Sequence, residues 1–220
     1  MNSDFWKDAS VLVTGAHGFT GSHLCRELVN AGARVKAFVK PDSQLSSLDD
    51  ILDRITVCRG DVTDFDSLLL HLKGVKYVFN PAAIVPVMDS RKNPQRSFSV
   101  NSIGSFNVAY ASVQCGVKKM LHVSTCHVYG NQPDSEIPIR ETTLPLPGDL
   151  YAASKMAAEI SIRPLINEGA PIVISRGFAK YGPGQSPQYF IPRVITQLIL
   201  GETPQLGNLT PTRDYTYIKD

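Results

Sequence analysis

A doubly wound α/β fold, one parallel sheet with helices on both faces and the start of a smaller C-terminal domain, is what this 220-residue sequence predicts. Three observations carry that expectation. Short β-rich apolar runs alternate with longer amphipathic stretches from end to end, the pattern of strand–helix–strand crossovers. The first run, Val11-Leu12-Val13, feeds into Thr14-Gly15-Ala16-His17-Gly18-Phe19-Thr20-Gly21, whose three glycines let a buried strand turn tightly into a helix. Gly32, Gly74 and Gly116 each stand between a helical pattern and a strand pattern, where a left-handed C-terminal cap belongs.

In chain order, the predicted strands are Val11–Thr14, Val35–Val39, Ile55–Cys58, Tyr77–Asn80, Met120–Ser124 and Ile172–Ser175, each a short run rich in branched or aromatic residues. Between them, Gly21–Ala31, Ser43–Asp53, Phe65–Leu72, Gln95–Cys115 and Ala152–Glu168, the last with Pro164 in its interior, repeat apolar residues at helical spacing. Residues 133–148 are proline-rich and aperiodic, a long surface excursion of the kind that borders a site. Tyr189–Leu200 reads as a helix, and Thr210–Ile218 as a loop entering a strand with no closing element after it.

Composition excludes several classes of function. Twenty-two basic and 20 acidic residues are well mixed, for a net charge of +2, so neither a nucleic-acid stripe nor a polybasic membrane anchor is present. Cys25, Cys58, Cys115 and Cys126 form no C-x-x-C pair, which argues against a zinc cage or a disulfide framework. The polar start, Asn2 to Asp8, lacks a signal-peptide core. A soluble cytoplasmic protein without a metal is expected.

The glycine-rich turn suits a dinucleotide: its backbone amides approach a pyrophosphate at a helix N-terminus. Tyr151 and Lys155, four residues apart, share one helical face. An adjacent cation favours phenolate, so such a tyrosine exchanges a proton nearer neutrality than its ordinary pKa of about 10 allows.

These motifs together resemble the extended short-chain dehydrogenase/reductase family, specifically its NAD(P)-dependent nucleotide-sugar epimerases and dehydratases. The resemblance runs over nearly the whole chain. It is carried by the turn at residues 14–21, Gly60-Asp61-Val62, Ala82-Ala83, Ser124-Thr125-Cys126-His127-Val128-Tyr129-Gly130, Tyr151 with Lys155, and Arg213-Asp214-Tyr215-Thr216-Tyr217. It implies a Rossmann domain over residues 1–176 that binds NAD(P), and over residues 177–220 the beginning of a truncated substrate-binding region. Gly15, Gly18, Phe19 and Gly21 would hold the pyrophosphate, Asp61 and Val62 would flank the adenine, and Ala82 and Ala83 would line the cofactor. Tyr151 would be the general base at a sugar hydroxyl, Lys155 would hold the ribose, Thr125 would hydrogen-bond the reacting oxygen, Asn101 would support the helix of Tyr151, and Arg213 would meet the substrate diphosphate. Family members are often dimers, and by analogy the resemblance implies a homodimer here through Gln95–Cys115 and Ala152–Glu168.

The chain departs from the family pattern in informative places. Asn80-Pro81 stands where relatives carry His-Leu, and Ala179 stands where many carry an Asn that contacts substrate. Dehydratases of this family place an acidic pair, or a small residue and Glu, after the threonine; here Cys126 and His127 stand there. In an extended chain His127 points with Thr125, and Cys126 and His122 point the other way. His127 therefore reads either as the base for the sugar C5 proton, for which histidine's ordinary pKa of about 6.5 is suited, or as a solvated residue with no part in chemistry. Cys126 reads as a second acid/base candidate or as a packing thiol.

At the end of the second strand Val39 is not acidic and Lys40 could meet a 2′-phosphate, which tilts the cofactor toward NADP without excluding NAD, since Asp42 follows. The favoured function is a nucleotide-sugar 4,6-dehydratase acting through a 4-keto sugar. A 4-epimerase needs no second base and is the alternative; a silent cofactor-binding module has no use for the Thr125, Tyr151 and Lys155 set.

Overall fold

The structure, a computed structural model, describes residues 3–85 and 92–220. The chain divides into two compact units, one ending at Arg176 and the other spanning Gly177–Asp220.

The first unit begins with a single turn, α1 (Ser3–Trp6), and then alternates β1 (Ser10–Thr14), α2 (Phe19–Asn30), β2 (Arg34–Val39), a 3-10 segment (Ser46–Arg54) and β3 (Ile55–Arg59). It continues through α3 (Phe65–Leu72), β4 (Tyr77–Asn80), α4 (Pro94–Phe98), a π-helical stretch (Ser99–Gly104), α5 (Ser105–Gln114), β5 (Lys119–Val123), α6 (Leu150–Asn167) and β6 (Ile172–Ser175). All six strands pair in parallel in the order β3-β2-β1-β4-β5-β6. The order reverses between β1 and β4, and in such sheets a crevice opens there at the carboxyl ends of the strands.

Alternation along the strands builds a core on each face. Val11, Val13, Val35, Ala37 and Val39 meet Cys25 and Leu28 of α2 together with Leu48 and Ile51. Leu12, Phe38, Val78 and Met120 face the other way, onto Leu68, Leu72, Val108 and Ile162 of α3, α5 and α6. Each of the Val, Leu, Ile, Phe and Met side chains among them contributes about 1.5–3 kcal/mol when fully buried. The expected caps form at Gly32 and Gly116, with φ of 84° and 66°, but Gly74, at φ of 71°, instead closes a tight turn in which the Val75 amide donates to the Leu72 carbonyl.

Three details depart from expectation. Residues 46–54 wind as a 3-10 segment, not the α-helix expected over Ser43–Asp53. The inward residues Leu45, Leu48 and Ile51 recur every third position, the period of the tighter helix. A bidentate pair from Arg26 to Asp50, at 2.7 Å for each bond, holds the segment against α2. The helix expected over Gln95–Cys115 runs unbroken from Pro94 to Gln114, but its middle, Ser99–Gly104, widens into a π-helical stretch that carries the buried Asn101. Pro164 sits inside α6 without ending it.

In the second unit, β7 (Ala179–Tyr181) pairs in parallel with β8 (Tyr215–Tyr217), and α7 (Phe190–Ile199) lies between them in sequence. The β7 strand was not foreseen. Tyr181 holds this ribbon together, its ring meeting those of Tyr215 and Tyr217 at 6.3 and 5.5 Å. No helix among the described residues is long and apolar enough to cross a membrane.

Candidate active site

The glycine-rich turn is shaped by contacts that leave no room for side chains. Gly15 has φ of 55°, and a Cβ there would lie 2.9 Å from the Ala82 Cα. A Cβ at Gly21 would lie 2.9 Å from the Ala16 Cα and run into the Gly15 carbonyl, so the third glycine sets how closely α2 approaches the turn. Gly18 caps α2 without a side-chain hydrogen bond, and Phe19 opens the helix with its ring edge-on to His23. First-turn amides without a side-chain cap, at a positive helix end, suit a pyrophosphate, so the residues present fit a dinucleotide.

The loop after β4 is tied to the same turn. Thr14 accepts from the Ala82 amide at 3.2 Å and donates to Asn80 Oδ1 at 2.6 Å. Asn80 must then present its Nδ2 to His122 Nδ1, 3.3 Å away, which fixes the His122 proton on Nε2. Burial, and after it the charge of Lys155, hold the His122 pKa well below the ordinary histidine value. Ala83 follows Ala82 in this loop, half-buried, and the next residue, Ile84, is pinned by Asn101. Asn101 accepts the Ile84 amide at 2.8 Å and donates to Ser154 at 3.0 Å, joining the loop to α6.

Near the ends of β2 and β3 lie the residues expected around an adenosine. Lys40 is exposed, 4.0 Å from Asp42. Arg59, which the sequence did not single out, donates to the carbonyls of Pro41 and Ser43 at 2.6 and 3.3 Å and so fastens the loop that follows Lys40. His17 reaches Ser43 at 3.3 Å, and its pKa is lowered by burial and then by Lys40. The Asp61 carboxylate is occupied by Thr63, at 2.7 Å to its hydroxyl, and by Arg96. Burial raises the Asp61 pKa, but these hydrogen bonds outweigh it and hold the group below the usual carboxylate range. Val62 is buried, and its carbonyl accepts from Asn107 at 3.2 Å.

The segment after β5 corrects the basis on which His127 was placed. Thr125 is extended, with φ of −151°, but residues Cys126–Tyr129 wind into a 3-10 turn, so strand alternation ends at Thr125. The cause is local: the Thr125 hydroxyl accepts the His127 amide at 3.2 Å and starts the turn. His127 nevertheless lies beside Tyr151, ring edge to ring face, with centroids 5.9 Å apart. Cys126 is half-buried on the same turn.

Tyr151 stands in the first turn of α6, and Lys155 one turn later is buried to 1% exposure. Asp149 caps the helix by accepting the Ala152 amide at 2.8 Å. Beneath the Thr125 turn, Ser124 donates to the buried Glu159, and Arg176 holds Glu159 from the other side while stacking on Tyr129, 4.8 Å from its ring centre. Neither Asp149 nor the Glu159–Arg176 pair carried a signal in the sequence. Arg213 lies in the second unit, exposed, and donates to the Thr212 carbonyl at 2.7 Å. Ala179 opens β7. Among the described residues, no cluster of three His, Cys, Asp or Glu side chains could hold a metal.

Comparison with known proteins adds to this geometry. Residues 11–220 match the model of the NAD dependent epimerase/dehydratase family. The chain is 31% identical over 217 residues to a dTDP-glucose 4,6-dehydratase of Mycobacterium tuberculosis (strain CDC 1551 / Oshkosh), covering 96% of this chain and 65% of that protein. It thus spans about two thirds of the length of the curated relative. Among solved structures, DesIV, a dTDP-glucose 4,6-dehydratase from Streptomyces venezuelae with NAD bound, superposes with a TM-score of 0.87 at 28% identity, over 96% of this chain and 68% of DesIV. A UDP-N-acetylglucosamine 4-epimerase from Methanobrevibacter ruminantium M1, in complex with UDP-N-acetylmuramic acid, gives 0.87 at 31% identity, over 97% and 70%.

Proposed function

The chain belongs to the NAD dependent epimerase/dehydratase family, and on that premise we propose that it carries the cofactor-binding and catalytic part of a nucleotide-sugar 4,6-dehydratase. The observation that carries this reading is the meeting of Tyr151 and His127, with His127 in turn bonded to Thr125, on the turn that leaves β5.

Residues 1–176 are read as the NAD(P) domain, with Gly15, Gly18, Phe19 and Gly21 at the pyrophosphate, Asp61 and Val62 at the adenine, and Ala82 and Ala83 along the cofactor. A bound nicotinamide would supply a hydride acceptor that later returns the hydride. Lys155 holds the ribose and favours the Tyr151 phenolate. Tyr151 takes the proton of the sugar C4 hydroxyl. Thr125 spends a lone pair on the His127 amide, which leaves its own proton to donate to the C4 oxygen. A carbonyl at C4 acidifies the C5 proton, which His127 removes as the C6 hydroxyl departs as water. Residues 177–220 begin the substrate region, where Arg213 meets the diphosphate.

Lys40 favours NADP, with NAD as the alternative. The unit is read as a cytoplasmic homodimer; the exposed Ile103, Tyr110 and Val113 of the α5 region and Ile160 of α6 support the two-helix interface of the family. A 4-epimerase is the second reading, favoured by the likeness to the solved 4-epimerase and by the half-exposed position of His127. Incubating the full-length protein with a panel of nucleotide sugars and weighing the products separates the two. Loss of one water identifies a dehydratase, and an unchanged mass with inverted C4 identifies an epimerase.

A further inference from the structure

His127 does not stand alone beside Tyr151. Its Nδ1 lies 3.5 Å from Oδ2 of Asp149, whose other oxygen, Oδ1, accepts the Ala152 amide at 2.8 Å. One carboxylate therefore serves two masters: the first turn of α6 and an imidazole on the turn after β5. Asp149 is mostly buried, with 22% of its side chain exposed, and His127 is half-exposed at 51%, so the carboxylate is the fixed member and the imidazole the one that responds.

We propose that Asp149 is the positioning residue for His127, holding its ring in the Nδ1–H form so that Nε2 presents the free lone pair beside Tyr151. The chemistry follows from what each group can do. An ionised carboxylate only accepts, so a ring nitrogen facing it carries the proton, and the second nitrogen of a neutral ring is then the base. At 3.5 Å the pair is longer than a formed hydrogen bond, as orienting contacts in substrate-free sites commonly are before they tighten. Because Asp149 caps the helix that bears Tyr151, the same helix carries the phenol and orients the imidazole.

The inference rests on the dehydratase reading for its use in catalysis. There, Nε2 of His127 takes the C5 proton, the C–H electron pair forms the C5–C6 double bond, and the C6–O bond breaks. The imidazolium returns that proton to the departing hydroxyl, so water leaves and the ring is neutral again. While the ring is charged, the Asp149 carboxylate balances it.

The experiment is nitrogen-15 NMR of the imidazole in full-length protein, in alkaline buffer where imidazoles are neutral, with the His127 signals assigned by their loss in His127→Gln. Asp149→Ser is the test variant, because serine also caps a helix and the carboxylate alone is removed. Wild type should show the Nδ1–H tautomer and Asp149→Ser mainly the Nε2–H form. Water loss should fall about 10- to 100-fold in kcat with KM unchanged. A wild-type ring already in the Nε2–H form, or a tautomer unmoved by Asp149→Ser, overturns the inference. Should the tautomer shift as expected while wild type removes no water from any nucleotide sugar, the dehydratase reading fails and the positioning role stands.

Discussion

Arg176 grips both carboxylate oxygens of Glu159, with Nη2 at 2.7 Å and Nε at 3.0 and 3.1 Å, directly beneath the turn that carries Thr125 and His127. Glu159 follows Lys155 by one helical turn, so the buried face of α6 presents a cation toward His122 and then an anion toward Ser124 and Arg176. The pair raises the Arg176 pKa through the Glu159 hydrogen bonds. Tyr129, at the end of the turn, is trapped under the guanidinium.

Removing one member leaves the other charge buried without its partner. Glu159→Ala should therefore cost about 3 kcal/mol in urea unfolding. A loss comparable to that of an exposed ion pair, under about 1 kcal/mol, would show that the clamp does not hold the turn.

His122 ties stability to pH. Its folded-state pKa is depressed by burial and by Lys155, so the unfolded chain takes up the proton first. The stability from this group is fully present above the unfolded value of about 6.5, and it falls as pH drops below that point, by up to about 1.4 kcal/mol per pH unit. Urea melts of wild type and His122→Gln should converge as pH is lowered from 7. Parallel curves would mean that folded and unfolded chains bind the His122 proton equally, so that burial and Lys155 do not depress its pKa.

Gly15→Ala tests the turn. A side chain at φ of 55°, 2.9 Å from the Ala82 backbone, must push the loop after β4 away from the turn. The backbone strain alone is worth about 1–3 kcal/mol, and cofactor affinity measured by fluorescence titration should fall at least about tenfold. Undiminished binding would show that the turn does not cradle the dinucleotide.

Lys40→Glu tests the choice of cofactor. The exposed ammonium should draw a 2′-phosphate by about 1 kcal/mol, less in high salt. Titration with NADPH and NADH should show the preference moving toward NADH. A ratio that does not move would show that Lys40 does not set the choice.

Local spacing wrote much of this into the sequence. The turn at residues 14–21 and the Tyr151 and Lys155 pair each depend on a few consecutive residues, and the alternation of short strand patterns with helical ones was enough to place helices on both sheet faces. What was hidden depends on register and long closure. Asn80 meets His122 only because β4 and β5 pair with those residues opposite each other. Asp149 reaches His127 only after the whole excursion over residues 133–148 has folded back. The 3-10 turn at Cys126 was misjudged because a side chain, the Thr125 hydroxyl, sets the backbone there. The three-residue period of Leu45, Leu48 and Ile51 was visible and was read as an ordinary helix.

The most direct measurement uses a nucleotide sugar carrying deuterium at C4, turned over by the full-length protein, with products analysed by mass and NMR. A 4,6-dehydratase removes one water and moves the label from C4 to C6, and Tyr151→Phe slows this by about 100- to 10,000-fold. Products that retain their water and keep the label at C4, across every sugar offered, would contradict it.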